Sequence, residues 1–133
     1  MTKPSPLKER PRSPHFTIYK WPITMWMSLS HRLTGVALYF GTLFVTIWLF
    51  ALAAGGNYFE CVNYIYNSIF GKIILFGYSF ALLQHMFGGI RHLVWDICPA
   101  SLEKHLANKA ALLTISASLF STLILWLTFY IIK

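Results

Sequence analysis

Charged residues are scarce in this sequence. Asp, Glu, Lys and Arg make up 11% of its 133 residues, whereas a typical soluble domain carries about 25%. Because 56% of the residues are hydrophobic, most of the chain is predicted not to face water. The 11 basic residues outnumber the 4 acidic ones. On so apolar a chain, this excess favours contact with one face of a membrane over binding to nucleic acid.

Cysteine is also scarce, since Cys61 and Cys98 are the only two in the sequence. An iron–sulfur cluster usually needs four thiolates, so this chain alone is not expected to hold one. The first 20 residues lack the apolar run of a signal peptide. Their prolines and basic residues predict instead an exposed basic arm over residues 1–20.

Three segments lack Asp, Glu, Lys and Arg for long enough to cross a bilayer, which takes roughly 20 apolar residues in a helix. Lipid excludes unpaired backbone groups, so segments of this length must cross as helices. We therefore predict an all-α integral membrane protein whose three-helix domain covers residues 21–133. Its spans are expected at about 28–54, 68–95 and 108–132. The connection over residues 55–71 is polar and aromatic and is predicted to be ordered.

The basic residues predict the orientation. If the three spans alternate in direction, the N-terminal arm and the connection between spans two and three share one side of the membrane. That side carries nearly all of the basic residues: Lys3, Lys8, Arg10, Arg12, Lys20, Arg32, Arg91, Lys104 and Lys109. The other side carries Lys72 and Lys133. The positive-inside rule then places the N-terminus in the cytoplasm or the mitochondrial matrix.

Span two carries ionisable residues where a membrane helix rarely tolerates them. His85 is expected roughly 16 Å from the inner end of its helix, and a buried imidazole there needs a hydrogen bond or a metal. Haem iron takes imidazole as an axial ligand. Gly88 and Gly89 would let a flat porphyrin lie against the helix, and Arg91 and His92 would meet its propionates. The alternative is an interhelical hydrogen bond from His85, with the glycines serving helix packing.

Span one opens with a second polar cluster. Ser28, His31 and Arg32 are spaced so that their side chains could converge on one face of a helix. A quinone site needs a hydrogen-bond donor at a carbonyl, a positive charge and groups that relay protons. These residues supply that chemistry. The alternative is a simple interface anchor, in which Arg32 extends toward lipid phosphate.

Two motifs give the chain a family resemblance. The segment starting at Arg12 is RSPHFTIYKWPITMWMSLSHRLTG, and it resembles the N-terminal signature of succinate dehydrogenase cytochrome b556 subunits. That signature has a Ser-Pro-His-x-x-x-Tyr arm followed by Ser-x-x-His-Arg-x-[Ser/Thr]-Gly. The segment HMFGGIRHLVWD, from His85 to Asp96, resembles the family's His-x-x-x-Gly-x-Arg-His-x-x-x-Asp.

The resemblance implies a role for each matching residue. His85 matches the axial ligand of haem b, and a partner anchor subunit would supply the second axial histidine. Ser28 and Arg32 match residues of the quinone site. The family's residues around the haem propionates match His31, Arg91 and His92.

The resemblance also implies an assembly. The chain would be a non-catalytic anchor subunit of respiratory complex II in a bacterial or mitochondrial inner membrane. It would join a second membrane anchor, an iron–sulfur subunit and a flavoprotein in a heteromeric helical bundle, and electrons would pass from succinate to quinone. The Ser-Pro-His arm is typical of the mitochondrial and alphaproteobacterial branch, which points to ubiquinone.

Three other functions remain open at this level. The chain could anchor a fumarate reductase, which runs the same chemistry in reverse. It could be a structural anchor without haem. A small ion-coupled transporter is disfavoured, because transporters usually need a carboxylate inside the membrane. The four acids are predicted to lie in the arm, the connections or a helix end: Glu9, Glu60, Asp96 and Glu103.

Overall fold

The computed structural model describes residues 20–132, and this part of the chain is almost entirely helical. The helices are α1 (Ile23–Ala54), α2 (Gly56–Asn67), α3 (Ile69–Ile97) and α4 (Lys104–Ile132), and a short 3-10 helix, Pro99–Leu102, joins the last two. The predicted arm over residues 1–20 lies, but for Lys20, outside the described residues.

The three predicted membrane helices are confirmed. The helices α1, α3 and α4 contain 32, 29 and 29 residues and are long and apolar enough to cross a membrane. Each extends beyond its expected span, and α4 already begins at Lys104. The main difference lies in the connection over residues 55–71, which contains the 12-residue helix α2. Its polar and aromatic composition indicated order but not helix.

Local chemistry explains the turns at the two ends of α2. Gly55 and Gly56 have φ angles of 66° and 52°, a left-handed backbone that favours glycine and ends α1. At the other end, the Ser68 hydroxyl accepts a hydrogen bond of 3.1 Å from the backbone N–H of Gly71. Ser68 thereby caps α3, since it satisfies a donor that the first turn of a helix leaves free.

The helix α3 lies between α1 and α4 and contacts both. His31 of α1 stacks on His85 of α3, and Gly41 of α1 lies against Tyr78 of α3. Residue numbers thus rise along α1 as they fall along α3, so the two helices are antiparallel. We call the end that contains the start of α1 and the end of α3 the site end, and the opposite end the α2 end.

The described helices bury few large side chains. The buried hydrophobic residues are mostly alanines, whereas many aliphatic and aromatic side chains are exposed on all three long helices. Such a surface is stable in lipid or against other apolar helices. The helix α4 buries a face of small residues, and its main neighbour is α3. That face consists of Ala107, Ala111, Thr114, Ser118 and Thr122.

Candidate functional site

Three histidines meet between α1 and α3 at the site end. The rings of His31 and His85 stack with their centroids 4.1 Å apart and their planes 12° apart. The ring of His92 approaches His31 edge-on at 5.4 Å. The sequence spacing predicted that His85 and His92 lie on the same face of one helix. The packing of α1 against α3 places His31 next to both of them.

Hydrogen bonding fixes which nitrogen of His85 carries its proton. The Nδ1 atom lies 3.1 Å from the backbone carbonyl oxygen of His31 and 3.3 Å from the Thr34 hydroxyl oxygen. A carbonyl oxygen only accepts, so Nδ1 must carry the proton and donate it. In the neutral imidazole the lone pair is then on Nε2, which has no hydrogen-bond partner among residues 20–132. The Nε2 atom of His85 is therefore a ring nitrogen that is able to bind a metal.

The two glycines of α3 have different surroundings. A Cβ atom on Gly88 would overlap the ring of His31, whereas a Cβ atom on Gly89 would meet nothing within 4 Å. The sequence predicted that both glycines open the helix to a flat group. At Gly88 the ring of His31 fills that space, and the open surface lies at Gly89.

Arg91 is buried and lacks a hydrogen-bonding partner. Its side chain is 6% exposed, and the guanidinium carbon lies 4.8 Å from the ring centroid of Trp95. Its Nε and Nη1 atoms have no hydrogen-bond partner within the described chain, and neither does the buried Nε2 atom of His31. Buried polar groups normally find partners. These atoms are therefore available for hydrogen bonds to water or to a group outside residues 20–132.

Ser28 and Arg32 lie on the same helix as His31 but outside the histidine cluster. Ser28 is half-buried and Arg32 is exposed. Neither side chain makes a hydrogen bond or ion pair with another described residue. The spacing predicted that Ser28, His31 and Arg32 converge, whereas the structure turns His31 toward α3 and leaves Arg32 at the surface.

Two polar residues of the site were not assigned a role from the sequence, although Thr34 belongs to the polar cluster that opens span one. Thr34 contacts the ring of His85. Gln84 is 4% exposed, and its Nε2 atom donates to the Ser30 hydroxyl at 3.4 Å. An amide next to His85 within an apolar run was a usable signal for Gln84. The contact of Thr34 depends on how α1 packs against α3, which the sequence of one helix does not encode.

Two cavities lie away from this cluster. One of ≈ 540 Å³ is lined mainly by residues of α1, α2 and α3, such as Phe44, Tyr66 and Tyr78, and by Phe129 of α4. Another, of ≈ 710 Å³, is lined by residues of α2, α3 and α4 such as Asn67, Lys72 and Trp126. Their linings are mainly apolar and contain none of the three clustered histidines. Both cavities are therefore separate from the histidine site.

Within residues 20–132, no group of three or more His, Cys, Asp or Glu residues could hold a metal ion. Fold and site together define a membrane-spanning helical protein in which a histidine with an unpaired ring nitrogen, His85, lies at a helix–helix contact.

Comparison with known proteins identifies the family to which this membrane protein belongs. The chain belongs to the succinate dehydrogenase/fumarate reductase transmembrane subunit family, whose model matches residues 6–125. Both motifs quoted above fall within the matched range, so the predicted family is confirmed.

Named relatives agree with the family. The chain is 36% identical to the succinate dehydrogenase cytochrome b556 subunit of Rickettsia felis, over 94% of this chain and 97% of the relative. It is 34% identical to the subunit of the same name from Paracoccus denitrificans, over 92% and 93%. The mitochondrial cytochrome b560 subunit of Sus scrofa is 42% identical over 66% of this chain and 53% of its own length. The chain is thus a membrane subunit of an enzyme complex, as predicted, and its relatives come from bacterial and mitochondrial membranes.

Proposed function

We propose that this chain is the haem b-carrying anchor of a succinate:quinone oxidoreductase and forms part of its quinone-reduction site. One observation carries the haem assignment. His85 donates its Nδ1 proton to the carbonyl of His31, which leaves the Nε2 lone pair without a partner in the described chain. Metal-binding histidines usually donate their other ring N–H to a carbonyl or carboxylate, which fixes ring and tautomer.

The surrounding residues fit a haem. Haem b, when bound, would supply a one-electron carrier whose iron is held by protein side chains. His85 would provide one ligand, and a histidine of a second anchor subunit would provide the other. Arg91 is buried with two unpaired nitrogen atoms, so it offers charge-assisted hydrogen bonds to a propionate. The unpaired Nε2 atom of His31 and the exposed ring of His92 would complete that anion site.

Ser28 and Arg32 would hold the quinone at the site end of α1. Neither side chain has a partner among the described residues, so both are free to bind a ligand. The Ser28 hydroxyl would donate to a quinone carbonyl, and the Arg32 guanidinium would stabilise negative charge on the ring as electrons arrive. Reduction to quinol consumes two electrons and two protons. The electrons would come from succinate through the flavoprotein and iron–sulfur subunits.

The names of the relatives favour this direction of reaction. The matching family includes fumarate reductase subunits, but the curated relatives quoted above are named as succinate dehydrogenase subunits. Family membership likewise favours an electron-transfer anchor over a small ion-coupled transporter. The bacterial relatives include a Paracoccus and several Rickettsia proteins, in agreement with the branch for which we propose ubiquinone.

The haem assignment is tested by His85→Ala in the purified complex. We expect the reduced-minus-oxidised absorption spectrum to lose its bis-histidine haem b signal, because one axial ligand is gone. His105→Ala is the matched control, since His105 is an exposed histidine of α4. A full haem b signal in the assembled His85→Ala complex would contradict the assignment.

The quinone assignment is tested by Arg32→Ala. Loss of a preorganised cationic donor is expected to slow quinone reduction about 100-fold, while succinate oxidation with a water-soluble dye stays unchanged. Lys109→Ala, which removes an exposed positive charge from α4, should affect neither rate. An Arg32→Ala complex with undiminished quinone reduction would remove Arg32 from the site.

A further inference from the structure

Thr34 forms a closed set of contacts with His31 and His85. Its hydroxyl donates to the carbonyl oxygen of His31 at 3.0 Å. The same hydroxyl oxygen lies 3.3 Å from Nδ1 of His85, and that Nδ1 lies 3.1 Å from the His31 carbonyl oxygen. Since the hydroxyl proton points to the carbonyl, the lone pairs of Thr34 are available to the Nδ1 proton. His85 thus shares one proton between two acceptors.

We propose that Thr34 is a positioning residue for His85: it fixes the rotation of the imidazole ring and raises the electron density of Nε2. The proposal rests on the proposed function, because it takes His85 as the haem ligand. Thr34 occupies the Ser/Thr position of the His-Arg-x-[Ser/Thr]-Gly motif. Neither the haem assignment nor the quinone assignment gives this residue a role.

The ring of His85 is confined on several sides by one turn of α1. Its face stacks on the ring of His31. Its Cε1 atom lies so close to Gly35 that a Cβ atom there would be 3.1 Å away. A hydrogen bond to the carbonyl alone would let the ring rock about that bond. The second acceptor on Thr34 defines the plane of the ring, and hence the direction of the Nε2 lone pair.

The second acceptor also has an electronic effect. Acceptors on the distal N–H of a metal-bound imidazole make it a stronger electron donor to the metal. A stronger donor stabilises the oxidised iron more than the reduced iron. Loss of the Thr34 hydroxyl is therefore expected to raise the midpoint potential of the haem and to weaken its retention.

The test compares Thr34→Val, Thr34→Ser and Thr42→Val in the purified complex. Valine keeps the shape of threonine without its hydroxyl, and serine keeps the hydroxyl. Thr42 is the matched control, because its hydroxyl makes the same kind of bond, to the carbonyl three residues earlier at 2.6 Å. Three quantities are measured per assembled complex: the haem midpoint potential, the reduced absorption spectrum and the rate of haem transfer to apomyoglobin.

We expect Thr34→Val to shift the potential upward and to release haem faster, by about 10-fold or more. Thr34→Ser and Thr42→Val should match the parent complex. If the valine variant fails to assemble, Thr34→Ala is measured instead with the same expectation. A Thr34→Val or Thr34→Ala complex with unchanged potential and haem transfer would overturn the proposal.

The two hypotheses fail in distinguishable ways. If His85→Ala loses its haem while the Thr34 variants behave like the parent, the ligand assignment stands and the role of Thr34 is wrong. If His85→Ala keeps its bis-histidine spectrum, the ligand assignment itself is wrong, and the proposal for Thr34 falls with it.

Discussion

The contact of α3 with α4 and its contact with α1 differ in how their buried polar side chains are hydrogen-bonded. On α4, the hydroxyls of Thr114, Ser118 and Thr122 are buried, and each donates to the carbonyl four residues earlier at 2.7–2.8 Å. At the contact with α1, buried polar atoms of His31, Gln84 and Arg91 have no partner within the described chain.

This difference is expected if the α3–α4 contact is structural and the α1–α3 contact holds the proposed cofactor. A hydroxyl that donates to a carbonyl of its own helix needs no hydrogen-bond partner on the neighbouring helix. The α3–α4 contact can therefore be stabilised by close packing of small side chains alone. Buried polar atoms without partners are costly, and they persist where an outside group completes them. We therefore expect changes at α3–α4 to alter stability only, and changes at α1–α3 to alter cofactor binding as well.

Gly88→Val should have the largest effect. A Cβ atom at Gly88 would overlap the ring of His31, so α1 and α3 must separate or the ring must move. We expect a loss of about 3 kcal/mol in the apparent free energy of unfolding, together with loss of most of the haem. Denaturant unfolding of the purified complex in detergent and its haem content measure the two effects.

Gly89→Val is the matched control for stability, since a Cβ atom there meets nothing within 4 Å of this chain. It should leave the fold of the subunit intact. A Gly88→Val complex with parental stability and haem content would show that the close approach of His31 is not required.

Ser118→Val should lower the free energy of unfolding of the subunit without changing the histidine site. Ser118 is 0% exposed, so the added bulk must push α4 from its neighbour. This is expected to cost about 2 kcal/mol, measured by the same unfolding experiment. The haem spectrum should stay parental in the assembled complex. Ser116→Val is the control, because Ser116 makes the same type of bond to its own helix but is exposed. A spectral change in Ser118→Val would contradict the separation of the two contacts.

The sequence predicted the fold well because the strongest signal is local. Three long apolar runs suffice to predict three membrane helices, and the structure confirms them. The helix α2 was not predicted as a helix, because it is short and mixes polar with aromatic residues. Its bounds depend on the glycine pair Gly55–Gly56 and on the Ser68 cap, which are clear only once the flanking helices are known.

The site was less predictable, because it lies between helices. The spacing of His85, Arg91 and His92 along α3 is enough to predict that they form one cluster. Spacing along α1 suggested that His31 and Arg32 converge, but it gives no information on which face of α1 meets α3. Packing decides that question, and it turns His31 onto Gly88 while Arg32 stays exposed. The contacts of Thr34 and Gln84 follow from the same packing.

Tyr66→Phe extends the comparison to the α2 end. The Tyr66 hydroxyl donates to the carbonyl oxygen of Phe44 at 2.6 Å and so ties α2 to α1. Its removal should cost about 1.5 kcal/mol at neutral pH, with no change in the haem spectrum. Tyr64→Phe is the control, because Tyr64 is 81% exposed. An equal cost for both variants would show that the bond to Phe44 contributes nothing.

The effect of Tyr66→Phe should also depend on pH. Burial raises the pKa of Tyr66 above its usual value of 10.0, so the folded state holds the phenolic proton more tightly than the unfolded state does. The stabilisation is therefore fully present below pH 10, and it is lost as the pH rises through the raised pKa. The parent and Tyr66→Phe complexes should converge in stability under alkaline conditions. A difference that grew with pH would contradict this assignment.

The smallest effect is expected for the same substitution at the two contacts, Ser118→Ala and Ser30→Ala. Removing the Ser118 hydroxyl leaves no orphan, because the carbonyl of Thr114 keeps its helical N–H partner, and the cost should be at most about 0.5 kcal/mol. The Ser30 hydroxyl also accepts from Gln84, so its loss leaves a buried amide less satisfied and should cost about 1 kcal/mol. Unfolding of both variants in one detergent measures this difference. If Ser118→Ala lowered the free energy of unfolding more than Ser30→Ala did, the hydroxyls bonded to their own helix would stabilise the α3–α4 contact. Only the unpaired atoms of His31 and Arg91 would then distinguish the two contacts.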